Sequence, residues 1–222
     1  MKKLMILAAM LMVFGMVGSA SANLITNGDF ETGDLTGWTT GGDVKVTDDG
    51  GVFASAQGMD NYYALLGLGI TDGESKLKQN IDVTGLSELT ISFNWAFDYW
   101  DNSVSAEDTF ISLIKEDTKV KPVKITLLDL QTNGTGFFSP DGGLAHGYYM
   151  DTIDISAFTL DEGSVIFTLT EESDTPWYTG TASMAGIDNV SVAGDPVPEP
   201  ATMLLLASGL FGLAGFRRKF KK

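Results

Sequence analysis

The chain has 222 residues, 29 of them Asp or Glu and 14 Lys or Arg, with a single histidine and no cysteine. A net charge of −15 argues against nucleic acid or anionic lipid as partners of the folded body, because an acidic surface repels phosphate and gains no counterion release from it. Without cysteine, stability must come from an apolar core, a bound metal or both, and not from disulfides.

Residues 1–22 begin with Lys2 and Lys3, continue as an apolar run from Leu4 to Val17, and end on the small residues Ala20, Ser21 and Ala22. This order is that of a secretory signal peptide, a short helix with cleavage expected after Ala22. A single domain is expected over 23–193, followed by a linker at 194–200. Setting aside the two leader lysines and the five basic residues at the C-terminal end leaves 7 basic against 29 acidic residues, a net of −22. Such a body suits a cation-rich exterior.

Within the domain, 26 glycines in the whole chain, many beside Asp or Asn, punctuate short stretches rich in β-branched and aromatic residues. Strands are expected at 62–66, 75–83, 89–98, 109–115, 123–130, 147–155, 164–170 and 186–192. The clearest is 89–98, where Leu89, Ile91, Phe93, Trp95 and Phe97 alternate with smaller or polar residues. Period-2 alternation marks a strand with one buried face, so Trp95 is expected in the core with its neighbours. Nine or ten short strands and no helical periodicity between the two termini predict an all-β, antiparallel β-sandwich.

The domain opens with Asn27, Gly28, Asp29, Phe30 and Glu31, followed by Gly37 and Trp38, and closes with Ile187, Asp188, Asn189 and Val190. This pairing resembles the galactose-binding-like jelly roll, the fold of many carbohydrate-binding modules. The resemblance implies that the two terminal motifs meet at a structural Ca²⁺ with Glu31 and Asp188 as ligands, joined by carbonyls near Asn27 and Asp29. Ca²⁺ requires several hard oxygens, which a glycine-containing turn beside a carboxylate supplies. The bland alternative has Glu31 in a turn and Asp188 bonded to backbone.

A second cluster, Asp98, Asp101, Glu107 and Asp108 around Tyr99, Trp100 and Asn102, follows the clearest strand. Aromatic faces stack on sugar C–H surfaces while carboxylates and amides take the hydroxyls, so Asp98, Tyr99, Trp100, Asp101 and Asn102 are carbohydrate-binding candidates. Trp177 and Tyr178 stand in another expected loop, and the two loops form one groove only if they emerge at the same end. The competing reading is a solvated acidic loop with an aromatic folded back as a plug. His146, expected in the glycine-rich loop that includes Gly142 and Gly143, has no nucleophile motif near it and carries no catalytic role.

The chain ends with Val197, Pro198, Glu199 and Pro200, an apolar run from Ala201 to Phe216, and five basic residues in 217–222. The prolines separate the run from what precedes it. Its 16 residues span about 24 Å as a helix, marginal for crossing a bilayer, and the basic end at 217–222 favours the cytoplasmic side. Triplet, helix and basic end together resemble the PEP-CTERM sorting signal of Gram-negative bacteria. That resemblance implies transient membrane anchoring, processing by an exosortase, and delivery to the cell surface or an exopolysaccharide matrix; an ordinary single-pass anchor is the alternative.

No nucleotide loop, nucleophile elbow or histidine-rich metal spacing is present in the sequence. The expected function is therefore a non-enzymatic module associating with extracellular polysaccharide. A secreted glycosidase or lyase using two carboxylates, and a purely structural matrix protein, are the alternatives.

Overall fold

In the computed structural model, residues 22–48, 53, 56, 58–59, 61–67, 73–99, 108–116, 122–131, 143–159, 161–171 and 183–196 are described. Alternation becomes ten strands: β1 (Thr39–Gly41), β2 (Val44–Thr47), β3 (Tyr63–Leu66), β4 (Gly73–Asp82), β5 (Leu86–Tyr99), β6 (Thr109–Glu116), β7 (Lys124–Gln131), β8 (Gly143–Asp154), β9 (Glu162–Glu171) and β10 (Met184–Pro196). There is no helix among the described residues. The expected leader, Val197 to Pro200, the apolar run 201–216 and the basic end 217–222 lie outside them, apart from Ala22.

Two five-stranded antiparallel sheets face each other, one in the order β1-β4-β9-β6-β7 and the other β2-β3-β10-β5-β8. The inward faces follow directly from strand parity. Along β6, Phe110, Ser112 and Ile114 are buried while their neighbours are half-buried. Along β4 the same face carries Leu77, Gln79 and Ile81. Phe93 of β5 meets Phe167 of β9 edge-on at 5.1 Å, and Phe97 meets Phe110 at 6.1 Å, so aromatic rings bridge the two sheets. Burying rings of this size dominates the stability of such a core.

The N-terminal segment is sewn across the sandwich. Thr26 N–H donates to Gln79 Oε1 at 2.7 Å and Gln79 Nε2 donates back to the Thr26 carbonyl at 2.9 Å. Leu24 N–H donates to the Val192 carbonyl at 2.7 Å. Trp38 is buried between Phe30 and Phe167, with its indole N–H on the Asn27 carbonyl at 3.0 Å, as its place beside the opening motif implied.

Several expectations change. β1 and β2 have no counterpart in the sequence reading, because strands of three and four residues lack a full period. β10 continues through Gly194 and Asp195 to Pro196, pairing with Leu89, Glu88 and Leu86, so the first residues of the expected linker belong to the sheet. β8 begins at Gly143 and not at 147, which places His146 in a strand opposite Ala96 and not in a loop. The glycines that suggested a loop have another use: a Cβ on Gly147 would stand 3.1 Å from the ring of Trp95 opposite it. Trp95 has the inward parity expected, but it is only partly buried where it packs against the core.

Candidate functional site

Strand parity also fixes what the second sheet shows on its outer face. Opposite the core-facing Phe93, Trp95 and Phe97, β5 presents Ser92, Asn94, Ala96 and Asp98, and these pair with Met150, Tyr148, His146 and Leu144 of β8. Half of this face is covered. Phe53, Ala56 and Met59 pack onto Tyr63 and Leu65 of β3 and onto Ala96, with Phe53 seated over Gly186 of β10, where a Cβ would come within 2.8 Å of its ring. Asn94 and Asn189 both donate to the Gly58 carbonyl, at 3.1 and 3.2 Å, and tie down the edge of that cover.

The other half is open. Tyr148 is 59% exposed and Met150 63% exposed, with Leu144 also exposed on the same strand. Because side chains alternate, the next residue, Tyr149, points inward and stacks on Phe93 at 4.9 Å. Burial and the charge of Asp151 push its phenol pKa up. The open half thus combines an aromatic ring, two flexible apolar side chains, and the polar Ser92, Asn94 and Asp98. None of Leu144, Tyr148 or Met150 was singled out from the sequence. The signal available was their period-2 spacing in 144–150, obscured by interleaved glycines and by a residue pair, Tyr148 and Tyr149, whose parity cannot be assigned locally.

Of the carbohydrate candidates named above, Asp98 lies on this outer face, opposite Met184 of β10 and Leu144 of β8. Tyr99 is the last residue of β5. Trp100, Asp101, Asn102, Trp177 and Tyr178, with Glu107, lie outside the described residues. The chain leaves β5 after Tyr99 and returns at Asp108; it leaves β9 after Glu171 and returns at Ser183. Asp98 pairs with Met184 and Thr109 with Thr170, so both departures are at one end of the sandwich.

That end holds an unusual group of carboxylates. β9 turns Val165, Phe167, Leu169 and Glu171 inward, and Glu171 is only 4% exposed. Extending the β6–β9 register by one residue sets Asp108 opposite it. Asp108 is also buried and accepts a short 2.5 Å hydrogen bond from the Ser183 hydroxyl. Glu171 Oε1 has no hydrogen-bond partner among the described residues. Burial first, then the charges of Asp108 and Asp43, push the Glu171 carboxyl up from its ordinary value to about 8.

The two terminal motifs do meet. Val190 N–H donates to the Gly28 carbonyl at 2.8 Å, so closely that a Cβ on Gly28 would overlap the Val190 carbonyl oxygen. Asn27, Phe30 and Asn189 all take positive φ to make the junction, which explains Asn at two of the three places. Beside it is a shallow depression of about 330 Å³ lined by Asn23, Asn27, Asp29, Asn189 and Ser191 among others. Neither Glu31 nor Asp188 lines it. Glu31 is exposed in the turn. Asp188 is 1% exposed, aligned with Asn94 on the outer face, and accepts the Asn189 N–H at 2.6 Å. Among the described residues, no three acidic or histidine side chains already converge as a metal would require.

Comparison with known proteins adds a match and several likenesses. Residues 196–219 match the PEP-CTERM protein-sorting motif. No curated protein matches the chain. Among solved structures, the chain is similar to TmCBM61 in complex with beta-1,4-galactotriose, at 16% identity over 79% of this chain and 100% of that one, with a TM-score of 0.49. It is similar to the CBM22-2 xylan-binding domain from Paenibacillus barcinonensis Xyn10C, at 16% identity over 76% of this chain and 98% of that one, with a TM-score of 0.44. A third is the enzymatically active domain of Bacteriophage CBA120 tailspike protein 4, at 13% identity over 78% of this chain but 21% of that one, with a TM-score of 0.47. The chain therefore carries a PEP-CTERM sorting motif behind an antiparallel two-sheet sandwich.

Proposed function

We propose that this is an exported, non-catalytic protein, sorted through its C-terminal motif by an exosortase, whose sandwich binds extracellular polysaccharide on the open half of the outer face. The observation that carries the binding reading is Tyr148, 59% exposed between Leu144 and Met150 on a face that also presents Asn94 and Ser92. An exposed ring offers a sugar its π face at little entropic cost, while neighbouring amides and hydroxyls take hydroxyl groups. The strongly negative charge of the chain favours a neutral polysaccharide over an anionic one. Trp100, Asp101, Asn102, Trp177 and Tyr178, in the stretches that follow β5 and β9, and Tyr99 at the end of β5 are further candidates for contact with the polysaccharide.

Among the described residues, the one carboxyl pushed up to about 8 is that of Glu171. A group of that kind suits a general acid, but Glu171 points between the sheets and is nearly fully buried, away from any substrate on the outer face. Delivery by the sorting motif gives the cell surface or extracellular matrix of a Gram-negative bacterium as the destination, after export directed by the leader.

Affinity electrophoresis of the full-length chain against neutral and acidic polysaccharides, paired with a reducing-end assay on the same panel, tests the proposal. Retardation by a neutral polysaccharide without new reducing ends is expected, and Tyr148→Ala should weaken it. New ends would overturn the non-catalytic reading; no retardation on any polysaccharide would overturn binding. Mass spectrometry of the surface-exposed form should show a C-terminus near Pro200, and an intact Lys222 there would overturn processing.

A further inference from the structure

We propose that the chain pairs with a second copy of itself along the free edge of β8, antiparallel, about a two-fold axis at Tyr148. Each sheet has two edges, formed by β1 and β7 in one and by β2 and β8 in the other. β1 and β2 are three and four residues long, too short to hold a neighbouring strand. β7 is bulged at Leu127, where its register against β6 slips between Ser112 and Leu113, and a bulge twists an edge away from further pairing. β8 is different: it runs for 12 residues against β5 without a slip and contains no lysine, arginine or proline. Among the described residues, no strand lies on its outer side.

The side chains of this edge are as suited to pairing as its backbone. The large apolar side chains that stand exposed among the described residues, Leu144, Tyr148 and Met150, are all on β8. From Gly143 to Met150 the strand has no carboxylate; Asp151 and Asp154 are confined to its end. A long, regular and uncharged edge is the kind that recruits another strand. On the inward side, Ala145 and Gly147 leave room for the ring of Trp95, and both Trp95 and Tyr149 are only half-buried there. An adjoining copy covers that apolar flank.

The placement of charge selects a second copy as the occupant and fixes the register. A two-fold axis perpendicular to the sheet keeps outer side chains on the outer side, so residues of like parity face each other. Centred on Tyr148, the pairing sets residues 143–153 against themselves, with Leu144 opposite Thr152, His146 opposite Met150, and Asp151 opposite Ala145 of the second copy. No carboxylate then faces another. Centred on Asp151, the same strand would set Asp151 against itself and Tyr148 against Asp154. Like charges directly opposite destabilise a sheet, so the first register is preferred.

Two five-stranded sheets thereby become one continuous sheet. The open halves of the two outer faces adjoin, with Leu144, Tyr148 and Met150 of both copies side by side. The pairing stands apart from the polysaccharide reading, to which it adds a surface continuous across two chains.

Sedimentation equilibrium of the full-length chain in density-matched nonionic detergent, with no polysaccharide present, tests the pairing. About 0.5 M NaCl in the buffer screens the repulsion between two acidic bodies. With rising protein concentration the mass should climb from 23.7 kDa to twice that value. Tyr148→Lys sets lysine against lysine at an exposed position and should weaken association about tenfold while the melting temperature stays unchanged. Because the chain has no cysteine, an introduced one reports the contact directly. Under mild oxidation Tyr148→Cys should cross-link most of the protein as a dimer, and Lys45→Cys, exposed on β2 at the opposite edge of the sheet, should give less than about a tenth as much. A single-chain mass at every concentration would overturn the proposal, whether another segment of the chain lies along β8 or the edge stays open. So would association that Tyr148→Lys leaves unchanged, or cross-linking of Tyr148→Cys no greater than that of Lys45→Cys.

Discussion

Two glutamates are buried at opposite ends of the same inner sheet face, and they live in different chemistry. Glu116, at the end of β6, accepts both the N–H and the hydroxyl of Thr159 on Oε1, at 2.5 and 2.7 Å. Glu171, at the end of β9, faces Asp108 and leaves an oxygen without a partner among the described residues. Both are inward by parity and both are nearly fully buried. Burial alone therefore does not determine what a carboxylate does; the donors brought to it do. The Glu116 end is closed by a short turn after β8 that supplies Thr159, whereas the Glu171 end is where the long connections depart.

The sharpest way to break this contrast is to remove the satisfied member. Glu116→Ala strands the Thr159 N–H and hydroxyl, and urea denaturation should show a loss of about 3 kcal/mol, as for two hydrogen bonds to a charged acceptor. The same class of change at the other end should act in the opposite direction. In chelator at pH 9, Glu171→Gln removes a buried like-charge repulsion and should stabilise the protein by about 1–2 kcal/mol; a loss of similar size would mean that Glu171 has a favourable partner.

A pH series separates the two ends without mutation. The folded-state pKa of Glu171 is raised, from 4.5 to about 8. The folded protein thus holds a proton that the unfolded chain gives up, and the associated stability is complete below about pH 4.5 and is lost as pH rises through about 8. Metal-free protein should accordingly melt at progressively lower temperature across that window, and Glu171→Gln should flatten the decline. The smallest effect on stability is expected on the outer face. Tyr148→Ala should change the unfolding free energy by less than about 0.5 kcal/mol, as for an exposed side chain, while weakening polysaccharide retardation about tenfold, the worth of one stacking contact.

Much of this sandwich is written in local sequence. The alternation from Leu89 to Phe97 specifies β5 and its buried face, and the positions expected for β4, β6, β7 and β9 fall on strands of the molecule. The opening and closing motifs were legible as partners, and Gly28 and Val190 do touch. What they hold was less legible. Glu31 ends in solvent, and Asp188 is buried opposite Asn94, just where the positive φ at Asn189 and the accompanying β-bulge redirect the strand. No periodicity encodes such a bend.

The candidate site divides in the same way. Sequence composition by itself determined an acidic, cysteine-free β body with a sorting motif behind it, since charge count, strand period and the proline-bounded tail are local properties. Only the tertiary structure decided which of Tyr148 and Tyr149 stacks on Phe93 and which stands in water, because that depends on the register of β8 against β5. It alone decided that Glu171 meets Asp108, residues 63 positions apart in the chain, since burial and the sign of neighbouring charge are set by what folding brings together.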